Sequence, residues 1–277
     1  MAIGLLHPGE MGAAVGHELR GHGHQVLWAS EGRSRVTAER AAAAGLSECG
    51  SIAELVRHSD VVISVCPPHA AADVARTARG LPGIFVDANA VSPTTARHIA
   101  RIIEEGGGRY VDGGIIGPPP TAAAGTRLYL SGPEAHTVRE LFSGTAVGAR
   151  VVDGGAGAAS AVKMAYAAWT KGTAALVLAI RALARAEDVE ETLLAEWAES
   201  QPRLADQSRD AGRSALAKGW RWVAEMEEIS ASFGGVGLPS GFHEAAAEVF
   251  RRSSQKSGVA GDEPAIEAVV AALLARG

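Results

Sequence analysis

Along the first half of the chain, short apolar runs alternate with longer stretches whose apolar residues recur every three or four positions. Ala2–Leu6, Gln25–Ala29, Val61–Val65, Ile84–Asp87 and Tyr110–Asp112 read as strands, and the stretches between them as amphipathic helices. Such alternation predicts a mostly parallel sheet with helical crossovers. Arg127–Leu130, set between Gly125 and the Gly132–Pro133 turn, and Arg150–Val152 extend the sheet, so the first domain is expected to span residues 1–153.

The pattern then changes. From Ala158 to about Ala186 there is no proline and one internal glycine, Gly172, which predicts a single long helix. At 1.5 Å per residue it would run roughly 40 Å, too long for a crossover and suited to joining two domains. The remainder shows helical patterns broken at Gln201–Pro202, Gly234–Pro239 and Gly258–Pro264, with no convincing strand. Residues 154–277 are therefore expected to form an all-α second domain.

Composition narrows the function. The net charge of −5, from 26 basic and 31 acidic residues, offers no basic patch for a phosphate backbone, which argues against nucleic acid. Cys49 and Cys66 lie far apart and outside CxxC spacing, so neither a disulfide framework nor a zinc site is expected. His22, His24, His58 and His98 are scattered singly, and no metal is assigned to them. The opening MAIGLLHPGEMG has no basic start, and glycines cut its apolar run too short for a signal peptide or membrane span. A soluble cytoplasmic protein is the expectation.

The candidate chemistry begins at Gly4-Leu5-Leu6-His7-Pro8-Gly9-Glu10-Met11-Gly12, where an apolar strand meets a tight turn and a helix. Gly9 lets backbone approach a pyrophosphate, Gly12 lets the helix pack on the strand, and the helix N-terminus offers N–H groups and a positive dipole. His7 stands where the first glycine of G-x-G-x-x-G belongs. With a second strand at Gln25–Ala29, the context is that of a Rossmann dinucleotide-binding domain. The end of that strand reads Trp28-Ala29-Ser30-Glu31-Gly32-Arg33-Ser34-Arg35. The acidic residue that would bond a ribose 2′-OH is replaced near Ala29 and Ser30, and Arg33 and Ser34 suit a 2′-phosphate, which favours NADP(H) and leaves NAD(H) possible through Glu31. Further on, Ser92 reads as a helix N-cap with Pro93 at the first helical position.

The opening loop, Val65-Cys66-Pro67-Pro68, the Asn89–Ser92 segment and the glycine-rich Gly154–Gly157 followed by Lys163 together resemble the β-hydroxyacid dehydrogenase family. That family includes 3-hydroxyisobutyrate and 6-phosphogluconate dehydrogenases and, more distantly, imine reductases. The resemblance implies a nicotinamide-dependent oxidation or reduction at a carbon bearing OH or C=O. It implies that Cys66, Pro67 and Pro68 line the cofactor and that Asn89 and Ser92 lie near the nicotinamide. It makes Lys163, matching the lysine of the family's G-x-G-x-x-x-K motif, the catalytic acid and base, with a proton affinity tuned by a dry cleft.

Two departures stand out. Asp112-Gly113-Gly114-Ile115-Ile116-Gly117-Pro118 replaces the family's substrate loop D-A-P-V-S-G-G and lacks its serine; Gly114, Ile115, Ile116 and Gly117 remain to present amides to substrate. The family's asparagine one turn after the lysine is Ala167, with Thr170 on nearly the same helical face. Trp220-Arg221-Trp222, with Glu228 and His243 further along, resembles the C-terminal domain of a poorly characterised branch of the family. The resemblance also implies a homodimer. An imine reductase and a non-catalytic NADP(H)-binding sensor are the competing expectations.

Overall fold

The computed structural model describes residues 1–123, 125–254 and 265–275. Its first unit, Met1–Met164, is built on an eight-stranded sheet. In chain order it runs β1 (Ala2–Leu6), α1 (Glu10–Gly21), β2 (Gln25–Ala29), α2 (Arg35–Ala43), β3 (Ser47–Cys49), α3 (Ile52–Arg57) and β4 (Val61–Ser64). It continues with α4 (Ala71–Thr77), β5 (Ile84–Asp87), α5 (Pro93–Glu104), β6 (Arg109–Ile116), β7 (Thr126–Ser131), α6 (Ala135–Leu141) and β8 (Val147–Val151). The strand order is β3-β2-β1-β4-β5-β6-β7-β8, parallel except for the β6 and β7 pair. The order reverses beside β1, which puts the topological switch point at the carboxyl ends of β1 and β4, where ligands bind in sheets of this kind.

The pleat sorts the core into two clusters. Ile3, Leu5, Val61, Ile63, Ile84 and Val86 face α1, α2 and α6, whereas Leu6, Val62 and Phe85 face α3, α4 and α5. Leu5, Phe85 and Ile99 are fully buried, and each such side chain contributes about 2 kcal/mol by leaving water. Ser92 caps α5, accepting the Thr95 N–H at 3.2 Å, and Pro93 opens the helix as its sequence position predicts.

Two strands differ from expectation. Ser47–Cys49 pairs with β2 although it is short and polar, because an edge strand needs only backbone partners. The segment expected to leave the sheet after Asp112 stays in it: Gly113 to Ile116 pair with Leu130 to Arg127 of β7.

The helix expected over about 158–186 is α7 (Ala158–Ala186). The division between units falls inside it, after Met164, rather than before the glycine-rich loop, because its first turns are bonded to the sheet. The second unit, Ala165–Gly277, contains the rest of α7, then α8 (Glu190–Ser200), α9 (Leu204–Gly234), α10 (Gly241–Ser254) and α11 (Ala265–Leu274), with no strand among its described residues. The breaks expected at Gln201–Pro202 and Gly234–Pro239 separate α8 from α9 and α9 from α10; the one at Gly258–Pro264 lies outside the described residues. Here Trp222 packs edge-on to Phe250 at 5.0 Å, while Trp220 is exposed. α7 reaches the length and mean hydropathy, 1.2, of a membrane-crossing helix, yet its Arg181 and Arg185 are paired with Glu190, as in a helix packed within protein.

Candidate functional site

Because β1, β2, β4, β5 and β6 run parallel, their carboxyl ends share one edge of the sheet. At the first tip, His7 adopts φ +65°, the left-handed conformation that a glycine takes freely and other residues adopt at a cost of roughly 1 kcal/mol. The turn needs that conformation, which accounts for the family's glycine there. The Gly9 N–H donates to the His7 carbonyl at 2.7 Å, and a Cβ on Gly12 would lie 2.7 Å from the same oxygen, so only glycine lets α1 come this close. Pro8 is buried, Glu10 is exposed on the first turn of α1, and Met11 packs against the core.

Gly4 plays a different part from the one expected. It sits in mid-strand on the α3 face of the sheet, where a Cβ would come within 2.3 Å of Leu55 and 2.6 Å of Ser59. It is a packing glycine, and the loop proper begins at His7.

Three observations bear on whether a dinucleotide fits. The N-terminus of α1 has no side-chain cap, and a Cβ on Gly9 would meet no atom within 4 Å, so there is open space beside Gly9 at the start of the helix. His7 Nδ1 and Arg33 Nε are buried without a hydrogen-bond partner. Burial, helped by the Arg33 charge, pushes His7 down to about 4, so the imidazole is neutral at neutral pH. An uncapped helix end, an open glycine and orphaned polar atoms fit a phosphate-bearing ligand. At the β2 tip, Ser30 Oγ donates to the Cys49 carbonyl at 3.4 Å, and Ser34 caps α2 by accepting the Thr37 N–H at 3.3 Å.

At the β4 tip, the Cys66 N–H donates to Asn89 Oδ1 at 2.6 Å, and Pro67 and Pro68 lead into a 3-10 turn, Pro68–Ala70. Burial pushes the Cys66 thiol up to about 12, which makes it inert as a nucleophile. Asn89 is itself buried: its Nδ2 donates to Ser64 Oγ at 3.1 Å and to Asp87 Oδ1 at 2.5 Å. Asn89 thus ties the ends of β4 and β5 together. Ser92, 1% exposed, is occupied as the α5 cap.

Asp87 and Asp112 end the sequences Phe85-Val86-Asp87 and Tyr110-Val111-Asp112, stand in register on neighbouring strands, and are buried. Asp87 also accepts from the Asn89 N–H at 3.2 Å and from the Tyr110 hydroxyl at 3.1 Å. Burial first, then the neighbouring Asp112 charge, pushes Asp87 up to about 7. Asp112 accepts from the Gly157 N–H and the Ser160 N–H, both at 2.9 Å, from Ser160 Oγ at 2.6 Å and from Ser131 Oγ at 3.3 Å. Its carboxylate therefore caps the start of α7 at the positive end of the helix. Sequence reasoning passed over this pair. The available signal was an aspartate closing each of two buried strands.

The consequence reaches Lys163. A Cβ on Gly114 would lie 2.8 Å from Lys163 Cβ and 3.0 Å from the Ala159 carbonyl, so the glycine lets β6 and α7 meet there. With Lys163 in register, the second glycine of the family motif falls on Ala159 and the first on Gly157, which has φ +98° and lies against Pro93 of α5. Lys163 is half-buried. The expected substrate loop needs correction. Ile115 and Ile116 are buried strand residues, and an antiparallel ladder with β7 consumes the N–H of every second position from Gly113 to Ile116. Gly117, at φ +120°, closes the strand against Gly125 and Thr126. On α7, Ala167 is buried, and the Thr170 hydroxyl turns back to the Tyr166 carbonyl at 3.3 Å. In the second unit, His243 is buried between Phe233 and Phe242, and burial lowers its proton affinity. Glu228 lies on α9. Among the described residues there is no cluster of His, Cys, Asp and Glu able to hold a metal.

Residues 2–154 match the NAD binding domain of 6-phosphogluconate dehydrogenase, and residues 184–253 match a Domain of unknown function (DUF1932). An uncharacterized 28.5 kDa protein of Methanothermus fervidus is 31% identical over 185 residues, 66% of this chain and 71% of that one. A probable 3-hydroxyisobutyrate dehydrogenase of Mycobacterium bovis is 32% identical over 142 residues, 50% of this chain; the match spans about half, 47%, of that relative's length. Among solved structures, a conserved protein of unknown function with structural similarity to 3-hydroxyacid dehydrogenases superposes with a TM-score of 0.70 at 28% identity, covering 91% of this chain and 97% of its own. A reductive aminase from Aspergillus terreus, solved with NADPH and ethyl levulinate, shares the fold at 18% identity and a TM-score of 0.59, with 98% of each chain covered. The chain belongs to the β-hydroxyacid dehydrogenase-like family of NAD(P)-dependent dehydrogenases and reductases, with a helical C-terminal domain.

Proposed function

We propose that the protein is an NADP(H)-dependent oxidoreductase that interconverts a small hydroxy acid and its keto or aldehyde form, with Lys163 as general acid and base. The observation that carries this reading is the anchoring of the first turn of α7 by Asp112, which sets Lys163 against Gly114 at the carboxyl end of β6. The cofactor loop opens on the same edge of the sheet.

The bound nicotinamide would supply hydride transfer. The chain's own part is to hold the cofactor and move a proton. Gly9 and the N–H groups at the start of α1 would receive the pyrophosphate, with Arg33, Ser30 and Ser34 toward the 2′-phosphate. Cys66 and the two prolines after it would border the cofactor, in a turn whose shape Asn89 holds. In the oxidative direction the Lys163 amine takes the substrate hydroxyl proton; in reduction the ammonium returns it to the developing alkoxide. Ile115 and Ile116, where relatives carry a serine loop, are buried in β6, so this segment brings no second anion-binding hydroxyl to the substrate.

The missing serine also suits a substrate of lower charge, such as an imine, and so supports a second reading as an imine reductase; the retained Lys163 favours the carbonyl. The expected setting is the cytosol, consistent with two free cysteines, and the expected assembly is a homodimer, for which exposed Tyr166, Trp169 and Leu183 on α7 offer an apolar face. Purified protein given NADPH with a panel of keto acids and cyclic imines separates the readings: keto-acid turnover, imine turnover, or binding without turnover as in a sensor. Lys163→Ala is expected to lower kcat on the best substrate by about 10²- to 10⁴-fold with NADPH affinity unchanged, and full retained activity would overturn the mechanism.

A further inference from the structure

His7 Nδ1 and Arg33 Nε are both buried and both lack a hydrogen-bond partner, and they belong to adjoining turns. β1 and β2 run parallel with Leu5 opposite Trp28, which brings His7 level with Ser30, just before the turn that carries Arg33. Gly32, at φ +70° with open space around it, lets that turn swing back over the sheet edge. His7 holds a left-handed backbone where its relatives place glycine, and such strain is retained mainly at ligand clamps and active sites. A side chain held at that cost, beside an unpartnered guanidinium Nε, points to a shared anionic ligand.

We propose that His7 is a specificity-determining residue which, with Arg33, takes the 2′-phosphate of NADP(H), a phosphomonoester that NAD(H) lacks. This rests on the NADP(H) reading above and assigns to it a residue outside the usual fingerprint. The phosphate presents three acceptor oxygens, the guanidinium supplies fixed N–H donors, and an imidazolium donates from both ring nitrogens.

The pairing couples binding to a proton. In the free protein, burial and the Arg33 charge keep His7 neutral, at about 4. A dianion beside the ring reverses the local field and raises its proton affinity, so binding takes up a proton. Affinity for NADPH is then highest at low pH and declines as pH rises through the bound-state value, by at most about tenfold per unit for one proton. The charged and titratable groups around His7 are Glu10 on α1, Arg33 before α2, Arg40 on α2, whose Nη1 lies 3.5 Å from the Pro8 carbonyl, and Cys66 after β4. The Cys66 thiol, at about 12, stays uncharged throughout. A phosphomonoester itself gains a proton near about pH 6, so the useful window runs from about pH 6.5 to about 8.5.

The test is calorimetric titration of NADPH and of NADH into the wild type, His7→Gly and Arg33→Ala across that window, in buffers of different ionisation enthalpy. His7→Gly gives the strained position the residue that adopts it freely, so the variant folds. The expected result is proton uptake with NADPH but not with NADH in the wild type. In His7→Gly, NADPH binding should weaken about tenfold and the proton uptake vanish, with NADH unchanged. If His7→Gly binds NADPH as the wild type does, with the same proton uptake, the role of His7 is overturned, and loss of NADPH preference in Arg33→Ala would still support the NADP(H) reading. If the wild type does not distinguish NADPH from NADH, the NADP(H) reading fails and this inference with it.

Discussion

At the tip of β1 the buried His7 Nδ1 and Arg33 Nε have no hydrogen-bond partner, whereas at the tips of β5 and β6 all four carboxylate oxygens of Asp87 and Asp112 accept hydrogen bonds. Both sets lie on one edge of one sheet. An unsatisfied buried polar atom costs about 1–3 kcal/mol, a cost that a bound ligand can remove. A saturated cluster spends the same kind of group on holding chain to chain. On the reading proposed above, the first tip receives the ligand; the second fixes the start of α7, and with it Lys163.

Removing the cap tests the second half of that contrast most severely. Asp112→Ala leaves the Gly157 and Ser160 N–H groups and the Ser160 hydroxyl buried without their acceptor, at a cost of about 3 kcal/mol. In a chain of this size that lowers Tm by roughly 6–12 °C, measurable by thermal unfolding. An unchanged Tm would mean that Asp112 does not anchor the helix.

A smaller effect comes from pH. Asp87 has a folded-state value, about 7, above its ordinary 3.8, so protonation favours the folded form. Its contribution to stability is complete below the ordinary value and is lost as pH rises through about 7. Tm should fall by roughly 3–6 °C between about pH 6 and about pH 8. Asp87→Asn keeps an acceptor for Asn89 and carries no charge, so its Tm should lack that decline; an equally steep decline in the variant would place the pH dependence elsewhere.

The least effect on stability is expected at the open tip. Gly9→Ala puts a methyl group where no protein atom lies within 4 Å, so unfolding should shift by less than about 0.5 kcal/mol. The same methyl intrudes where a pyrophosphate would sit, and NADPH affinity should fall by about tenfold or more. Unchanged affinity would remove the cofactor from the N-terminus of α1.

Much of this was legible in the chain. The alternation of apolar runs specified the doubly wound sheet, the proline-free stretch specified α7 from Ala158 to Ala186, and Ser92-Pro93 specified the start of α5. Each depends on local periodicity or capping. The strand Ser47–Cys49 was not legible, because its three residues are polar and its reason to extend is the backbone of β2. Nor was the continuation of β6, since glycines weaken a strand by propensity; here Gly113 and Gly114 are required by close approach to Asp87 and to Lys163.

By itself, then, the sequence determined the fold class, the long helix, and the turn from β1 into α1 with its histidine in place of glycine, because these follow from spacing and residue type along the chain. Only the tertiary structure decided that Gly4 packs against Leu55 and that Asp112 caps α7 beneath Lys163. It also decided that Ile115 and Ile116 belong to a strand, and that His7 and Arg33 lie together with unsatisfied nitrogens. The physical reason is the same in each case. These properties depend on which atoms from distant parts of the chain come within van der Waals or hydrogen-bonding reach, and that distance is not written in local pattern.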